Sequence, residues 1–439
     1  MRLKGCLVSF RAARARPAAG RLLPGAGCCL LLVACLGLPA GAARAADAAA
    51  GAEPAAAEEA EIDASLVIAG QQIGARASAT GRRQRGLNAR ADVEGTIPVL
   101  RIGGGHGSLV GHLRSGVGTG VTTRQIHSGS VNNLGFDSDK GVDDHYGIVA
   151  EAYYQHLHPL GGSTGGSERS GAGGSHLALA VGKFDMFNFF DRNEAADDEA
   201  RAFLNESFVH NPMLGAGGDG AGDEFGFSPG LRTAYFNGTG SRHGWGVSLG
   251  LLGAGEEART SRLPRRPMVF LQADLTTQGA GGDTVGTVRL YAWRNRLAED
   301  FDGEPAVHDG WGVSVDHRIG NWVTVLGRYG RRTRGAGFFD RALTAGVVAS
   351  GQAWGRADDS LGFAVGGLST DSTYRRATAA GAPPGAGASG TERVLEVFYR
   401  FAFGKSVEVT PDFQYIHRPA GDPSGAPVRA VAIRFRFSH

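Results

Sequence analysis

Towards its C-terminus the chain alternates with a period of two. Val431, Ile433, Phe435 and Phe437 fall on one face, while Ala432, Arg434 and Arg436 fall on the other. An arginine at every second place is incompatible with a buried helix, whereas a strand between oil and water requires that alternation. Over Arg393–Phe401, Leu395, Val397, Tyr399 and Phe401 alternate with Glu396, Phe398 and Arg400. Val407 and Val409 alternate in the same way with Glu408 and Thr410, and Phe403-Gly404-Lys405-Ser406 between these two segments reads as a tight turn. Gly147–Leu157, Met268–Leu275, Val285–Arg294, Trp311–His317 and Trp322–Tyr329 repeat the pattern. Weaker segments bring the count to about sixteen strands, an even number as single-chain barrels need. Beyond residue 40 no apolar run approaches the roughly 18 residues of a membrane helix, so any span must be made of strands. The expected fold is all-β, a transmembrane antiparallel barrel over residues 65–439. A soluble sandwich or propeller is the rival, because alternation also describes half-buried strands.

Trp245, Trp293, Trp311, Trp322, Tyr329 and Phe437 stand near strand ends, where they suit the aromatic girdles at the two membrane interfaces, although singly each could equally be a packing residue. The glycine-rich stretches Gly161–Gly174 and Gly381–Gly390 are expected as extracellular loops, and Ile319-Gly320-Asn321 as a periplasmic turn. Gly103-Gly104-Gly105-His106-Gly107 lacks a phosphate-loop lysine and reads as a turn.

The N-terminus changes the reading of charge. A basic stretch through Arg21 leads into the apolar run Cys28–Leu38, and Ala43-Arg44-Ala45 follows as a small-x-small cleavage signal. Residues 1–45 are therefore expected to be an export signal, with a lipoprotein signal at Cys35 as the lesser alternative, and residues 46–64 an Ala- and Glu-rich lead. All four cysteines, Cys6, Cys28, Cys29 and Cys35, lie in that leader, so the mature chain would lack disulfides and thiolate chemistry. The leader also holds seven of the 45 Lys and Arg and no acid, which leaves 38 bases against 43 acids. The formal charge of +2 thus becomes −5, and a general nucleic-acid surface is not indicated.

Between Gly182 and Gly230 the alternation stops, and a connection of that length in a compact fold is usually functional or disordered. Phe184-Asp185-Met186-Phe187-Asn188-Phe189-Phe190-Asp191 is dense in aromatics, and Asn193–Leu204 reads as a short helix. So apolar a segment, residues 185–229, is expected to pack inside the barrel or over its mouth as a constriction loop, with Phe184, Asp185, Phe190, Asp191 and Asn193 as its candidate residues.

Three stretches carry a resemblance to a known family. They are Gly182-Lys183-Phe184-Asp185; Phe190-Asp191-Arg192-Asn193 with Asn205 and Phe208 to Pro212; and Val409-Thr410-Pro411-Asp412-Phe413-Gln414-Tyr415-Ile416-His417. On these the chain resembles the bacterial carbohydrate-selective porins, the OprB family, with weaker similarity, including Glu151 to Tyr154, over most of the mature chain. The resemblance implies a barrel of about sixteen strands in the outer membrane of a Gram-negative bacterium, passing small sugars by passive facilitated diffusion past a constricting loop. One departure is that Ser438 and His439 follow Phe437, where such barrels commonly end on an aromatic residue.

Alternation nominates the side chains facing the channel: Glu151, Tyr153, Asp274, Arg289, Tyr291, Asp316, Arg328, Glu396, Arg400, Glu408, Asp412, Arg434 and Arg436. Both signs are present, which argues against strong ion selectivity, and each of these residues could equally be a wall residue in an ion-pair ladder. His156 and His158 share a strand face but lack a third metal ligand, so no metal and no cofactor are expected. The expected partners are small sugars, outer-membrane lipid and the barrel-assembly machinery; nucleic acid is not among them, and a homotrimer stays open. The rivals are a general or differently selective porin, an outer-membrane barrel enzyme, for which no nucleophile–base spacing is found, and an adhesive barrel plugged by its long loop.

Overall fold

The computed structural model describes residues 60–439, apart from 124–127, 135–143, 161–173, 216–218, 224, 239–242, 256–257, 259–262, 280–283 and 381–387. The expected export signal, most of the lead and most of both glycine-rich stretches lie outside the described residues. Sixteen strands run in chain order: β1 (Glu61–Ile73), β2 (Gln84–Ile102), β3 (Gly105–Gly118), β4 (Asp144–Pro159), β5 (His176–Asp185), β6 (Phe227–Asn237), β7 (His243–Leu252) and β8 (Met268–Gln278). They continue as β9 (Thr284–Glu299), β10 (Pro305–Ile319), β11 (Val323–Arg334), β12 (Phe339–Ser350), β13 (Ser360–Thr370), β14 (Thr391–Phe403), β15 (Val407–His417) and β16 (Val428–Ser438). Each pairs antiparallel with the next, and β16 closes on β1, with Leu66 opposite Phe437 and Ile68 opposite Phe435. The closed sheet leaves no edge strand unpaired.

Period-two sequence becomes a two-faced wall. Leu290 and Leu343 stand outside, 55% and 60% exposed, while their strand neighbours Arg289 and Thr344 are buried inside. Water would not tolerate a continuous band of exposed leucine, valine and phenylalanine of this kind, and lipid does. The two rims differ. One has turns 103–104, 320–322 and 404–406 together with both chain ends of the barrel; the other carries the connections 119–143, 186–226, 253–267 and 371–390. By the outer-membrane rule the short-turn rim is periplasmic and the long-loop rim extracellular. Gly103 and Gly104, at φ +57° and +81°, make the two-residue hairpin turn that favours glycine.

Several expectations are corrected. The strand β1 begins at Glu61, inside the stretch read as a lead. Phe184 and Asp185 end β5, so the long connection is 186–226. Trp293 belongs to no girdle: it follows Arg289 and Tyr291 at steps of two, points inward and is 3% exposed. The glycines Gly105 and Gly107 are strand residues of β3, and a side chain at either would collide with the rings of His156 and Tyr154. Tyr154, His156 and His158 stack on the outer face near the periplasmic rim, with the Tyr154 hydroxyl 2.9 Å from His156 Nδ1. Among the described residues no group of three or more metal-ligating side chains gathers there or elsewhere.

The apolar core lies inside the barrel. Phe184, Met186, Phe190, Phe203, Phe208 and Met213 pack against Phe270, Tyr291, Trp293 and Phe398 of the inner wall. Each fully buried phenylalanine of the long connection contributes roughly 1.5–3 kcal/mol to holding it there.

Candidate functional site

The structure places Glu151, Tyr153, Asp274, Arg289, Tyr291, Asp316, Arg328, Glu396, Arg400, Glu408, Asp412, Arg434 and Arg436 on the inner face of the wall. It divides them by partner. Some are sealed beneath the 186–226 connection, and others border the rest of the lumen.

That connection crosses the lumen and is fastened at three stations. At the first, Asp191 accepts from the Tyr291 hydroxyl at 2.5 Å and pairs with Arg328 at 3.3 Å, while Arg328 also donates to Phe208 O and to Asp197. Asn193 donates to Val315 O and Asn211 to Tyr329 O, which ties the same station to β10 and β11. At the second, Glu396 accepts the backbone N–H groups of Leu204 and Asn205, and Arg434 donates to the carbonyls of Glu199 and Ala202. At the third, Asp219 binds Arg332, the His308 ring and the Trp293 indole, the last at 3.0 Å. Each station satisfies polar groups that burial would otherwise strand.

The expected helix over Asn193–Leu204 is absent. Asn193 and Asp198 each turn their side chains onto the N–H two residues on, at Ala195 and Ala200. Two separate capped turns result, because short polar side chains compete with the helix for backbone donors. Among its described residues the connection has a 3-10 turn at Met186–Asn188, capped by Asp185, and a single α-helical turn at Glu206–Val209, α1, capped by Asn205.

A second inward segment meets the first. Residues 128–134 of the β3–β4 connection lie against it: Asn133 donates to Leu204 O, and the Ser128 and Ser207 hydroxyls are 3.0 Å apart. Gln71 and Gln414 from β1 and β15 both donate to Val131 O.

Two charged banks flank residues 198–201 on one side of the wall, one on β2 and β3 and the other on β14–β16, with β1 between them. On one, Asp92 accepts from Arg90 at 2.9 Å and Arg114 at 2.6 Å and lies 2.8 Å from His112 Nε2, while Arg90 also binds Glu199 at 2.6 Å. On the other, Arg201, Arg400 and Arg436 all converge on Glu408. Glu94, with its side chain 60% exposed, and Arg201, at 46%, remain open to the lumen. The sequence reading missed Arg90, Asp92, His112 and Arg114. Arg90-Ala91-Asp92-Val93-Glu94 alternates as clearly as any segment; the register beyond β3 shifts between His112 and Leu113, where β4 carries Ala150 as the extra residue.

Burial and charge oppose each other in the connection. Burial alone would raise Glu199, yet Arg90 and Arg114 hold it below the usual carboxylate range. Burial likewise opposes ionised Asp219, and Arg332 with His308 outweighs it. At His210 burial and then Arg328 outweigh the opposing pull of Glu199 and push it down to about 3, so its ring, stacked on Phe187 at 3.7 Å, is neutral.

A closed sixteen-stranded barrel with an apolar exterior, a charged lumen and a connection threaded through it is a porin of the outer membrane. The sequence profile described as "Carbohydrate-selective porin, OprB family" matches residues 50–438. The chain belongs to that family and is an outer-membrane carbohydrate porin, a channel's fold rather than an enzyme's. Its fold is similar to the high-pH structure of Pseudomonas putida OprB, at 14% identity and a TM-score of 0.64, covering 87% of this chain and 94% of that one. The outer-membrane channel DcaP of Acinetobacter baumannii aligns at 12% identity and a TM-score of 0.49, covering 89% and 100%. No curated protein matches the sequence.

Proposed function

We propose that residues 186–226 constrict the pore and that small sugars diffuse passively past this constriction, along the open groups of the charged banks. The observation that carries this reading is the reach of the connection: Asn193 donates to Val315 O of β10, and six residues later Glu199 binds Arg90 of β2, on the opposite side of the closed wall. The sugar path then meets the guanidinium donor of Arg201 and the carboxylate acceptor of Glu94, the complement of a ring of hydroxyls, and both signs of charge keep it suited to neutral solutes. Tyr153, Asp274, Tyr291, Asp316, Asp412 and Arg434 act behind this path, holding the wall and the connection in place. Residues 1–45 serve as the export signal, and insertion proceeds through the barrel-assembly machinery.

Planar-bilayer recording of the purified protein is the test. Open pores whose current falls when glucose or a disaccharide is added support the proposal. Open pores blocked by no sugar would mean that the banks do not select carbohydrate. Liposome swelling ranks the sugars.

A further inference from the structure

The outer face of the barrel holds charge where the membrane interior would exclude it. On β11 and β12, Arg331 and Arg341 stand directly opposite each other in register, both exposed and both outward. Like charges in that position repel across the ladder and are destabilising unless an anion lies between them. The nearest acid, Asp340, reaches Arg341 at only 3.7 Å and has an oxygen with no hydrogen-bond donor. The same row continues around the wall. Arg393 of β14 is opposite His417 of β15, and Arg429 of β16 is opposite Tyr415, with its guanidinium 5.8 Å from the ring centroid.

Height on the barrel gives the row its meaning. Two residues nearer the mid-plane, on the same outward faces, are Tyr329, Leu343, Leu395 and Val431, and Trp311 packs on Tyr329 at 5.2 Å. Aromatic rings and aliphatic side chains mark the edge of the hydrocarbon, so the guanidiniums one step above them sit at headgroup level. They belong to the long-loop rim, which faces the outer leaflet. At the opposite rim, the described outer face instead shows Tyr154, His156 and His158.

We propose that the arginine row Arg331, Arg341, Arg393 and Arg429 is a binding surface for the phosphate groups of a phosphorylated glycolipid in the outer leaflet. Guanidinium matches phosphate in geometry and charge, and a phosphate between Arg331 and Arg341 relieves their repulsion. The inference rests on the outer-membrane placement but not on which solute the lumen passes.

The test is lipid retention by the mature protein, purified in mild detergent and read by native mass spectrometry after incubation with three lipids: phosphorylated lipid A, its dephosphorylated form and phosphatidylglycerol. The wild type is expected to retain phosphorylated lipid A over the other two. Retention should fall about fivefold in Arg341→Gln and about 25-fold in Arg331→Gln/Arg341→Gln, and should weaken as salt is raised. Sugar-driven liposome swelling by the same variants should match wild type, which shows that they fold and separates this row from the lumen. Equal retention by wild type and the double variant overturns the proposal, as does equal retention of dephosphorylated lipid A or of phosphatidylglycerol.

Discussion

Two sectors of the inner wall use the same residue types to opposite ends. Under the long connection, Arg328 and Asp191 both have side chains 0% exposed, and Arg332 and Asp219 are as deeply sealed. Around Glu408, by contrast, Arg201 is 46% exposed and Arg436 20%. A sealed pair is an anchor, because removing one partner leaves a charge with no water to turn to. An open pair contributes little stability, and its groups remain available to solutes. The lumen therefore separates a sealed, fastening wall from an open one, where the proposed solute path runs, although the sequence writes both as alternating arginine and acid.

The largest expected effect tests the fastening side. Arg328→Ala strips Asp191 of its cation and releases Phe208 O and Asp197, at a cost of about 3–5 kcal/mol. The first station should loosen, raising single-channel conductance and lowering the temperature at which the barrel unfolds in detergent. Unchanged conductance together with unchanged stability would erase the distinction between the sectors.

Next comes acid. His210 has a folded value of about 3 against an ordinary 6.5, so above pH 6.5 it is neutral in either state and costs nothing. As pH falls from 6.5 towards 3, the released connection takes up a proton that the docked one refuses, and docking weakens progressively. At about pH 4.5 the loss is ~2–3 kcal/mol. Replacing the imidazole in His210→Phe keeps an aromatic partner for Phe187 and should flatten this part of the pH–stability profile relative to wild type.

A smaller effect probes the third station. Trp293→Phe removes one donor from Asp219 while Arg332 and His308 remain, for about 1 kcal/mol, visible as a modest drop in unfolding temperature. The smallest stability change should come from the open side. Arg201→Ala is expected to cost under about 1 kcal/mol. It should nonetheless shift the reversal potential in a salt gradient towards cations and alter sugar block. A large stability loss here would show that the open bank is a fastening too.

Much of the wall was legible because its signal is local. A strand in a membrane barrel must alternate at every step, so Val431 to Phe437 and Leu395 to Phe401 declare their faces without reference to any partner. The same logic misplaced Trp293 only where a girdle role was preferred over its place in step with Arg289 and Tyr291. The bulges at Val99 of β2 and Ala150 of β4 lay beyond it, since an extra residue changes the face without changing the composition.

What the sequence determined by itself is the two-faced wall, its approximate strand number and the apolar character of the segment that interrupts it. Tertiary structure alone decided the rest: that Asn193–Leu204 makes two turns rather than a helix, that Asp191 finds Arg328 and Asp219 finds Arg332, and which arginines stay wet. The physical reason is range. Alternation is imposed on each residue by its immediate surroundings, whereas an anchor joins groups more than a hundred positions apart, whose meeting depends on the closure of the whole barrel.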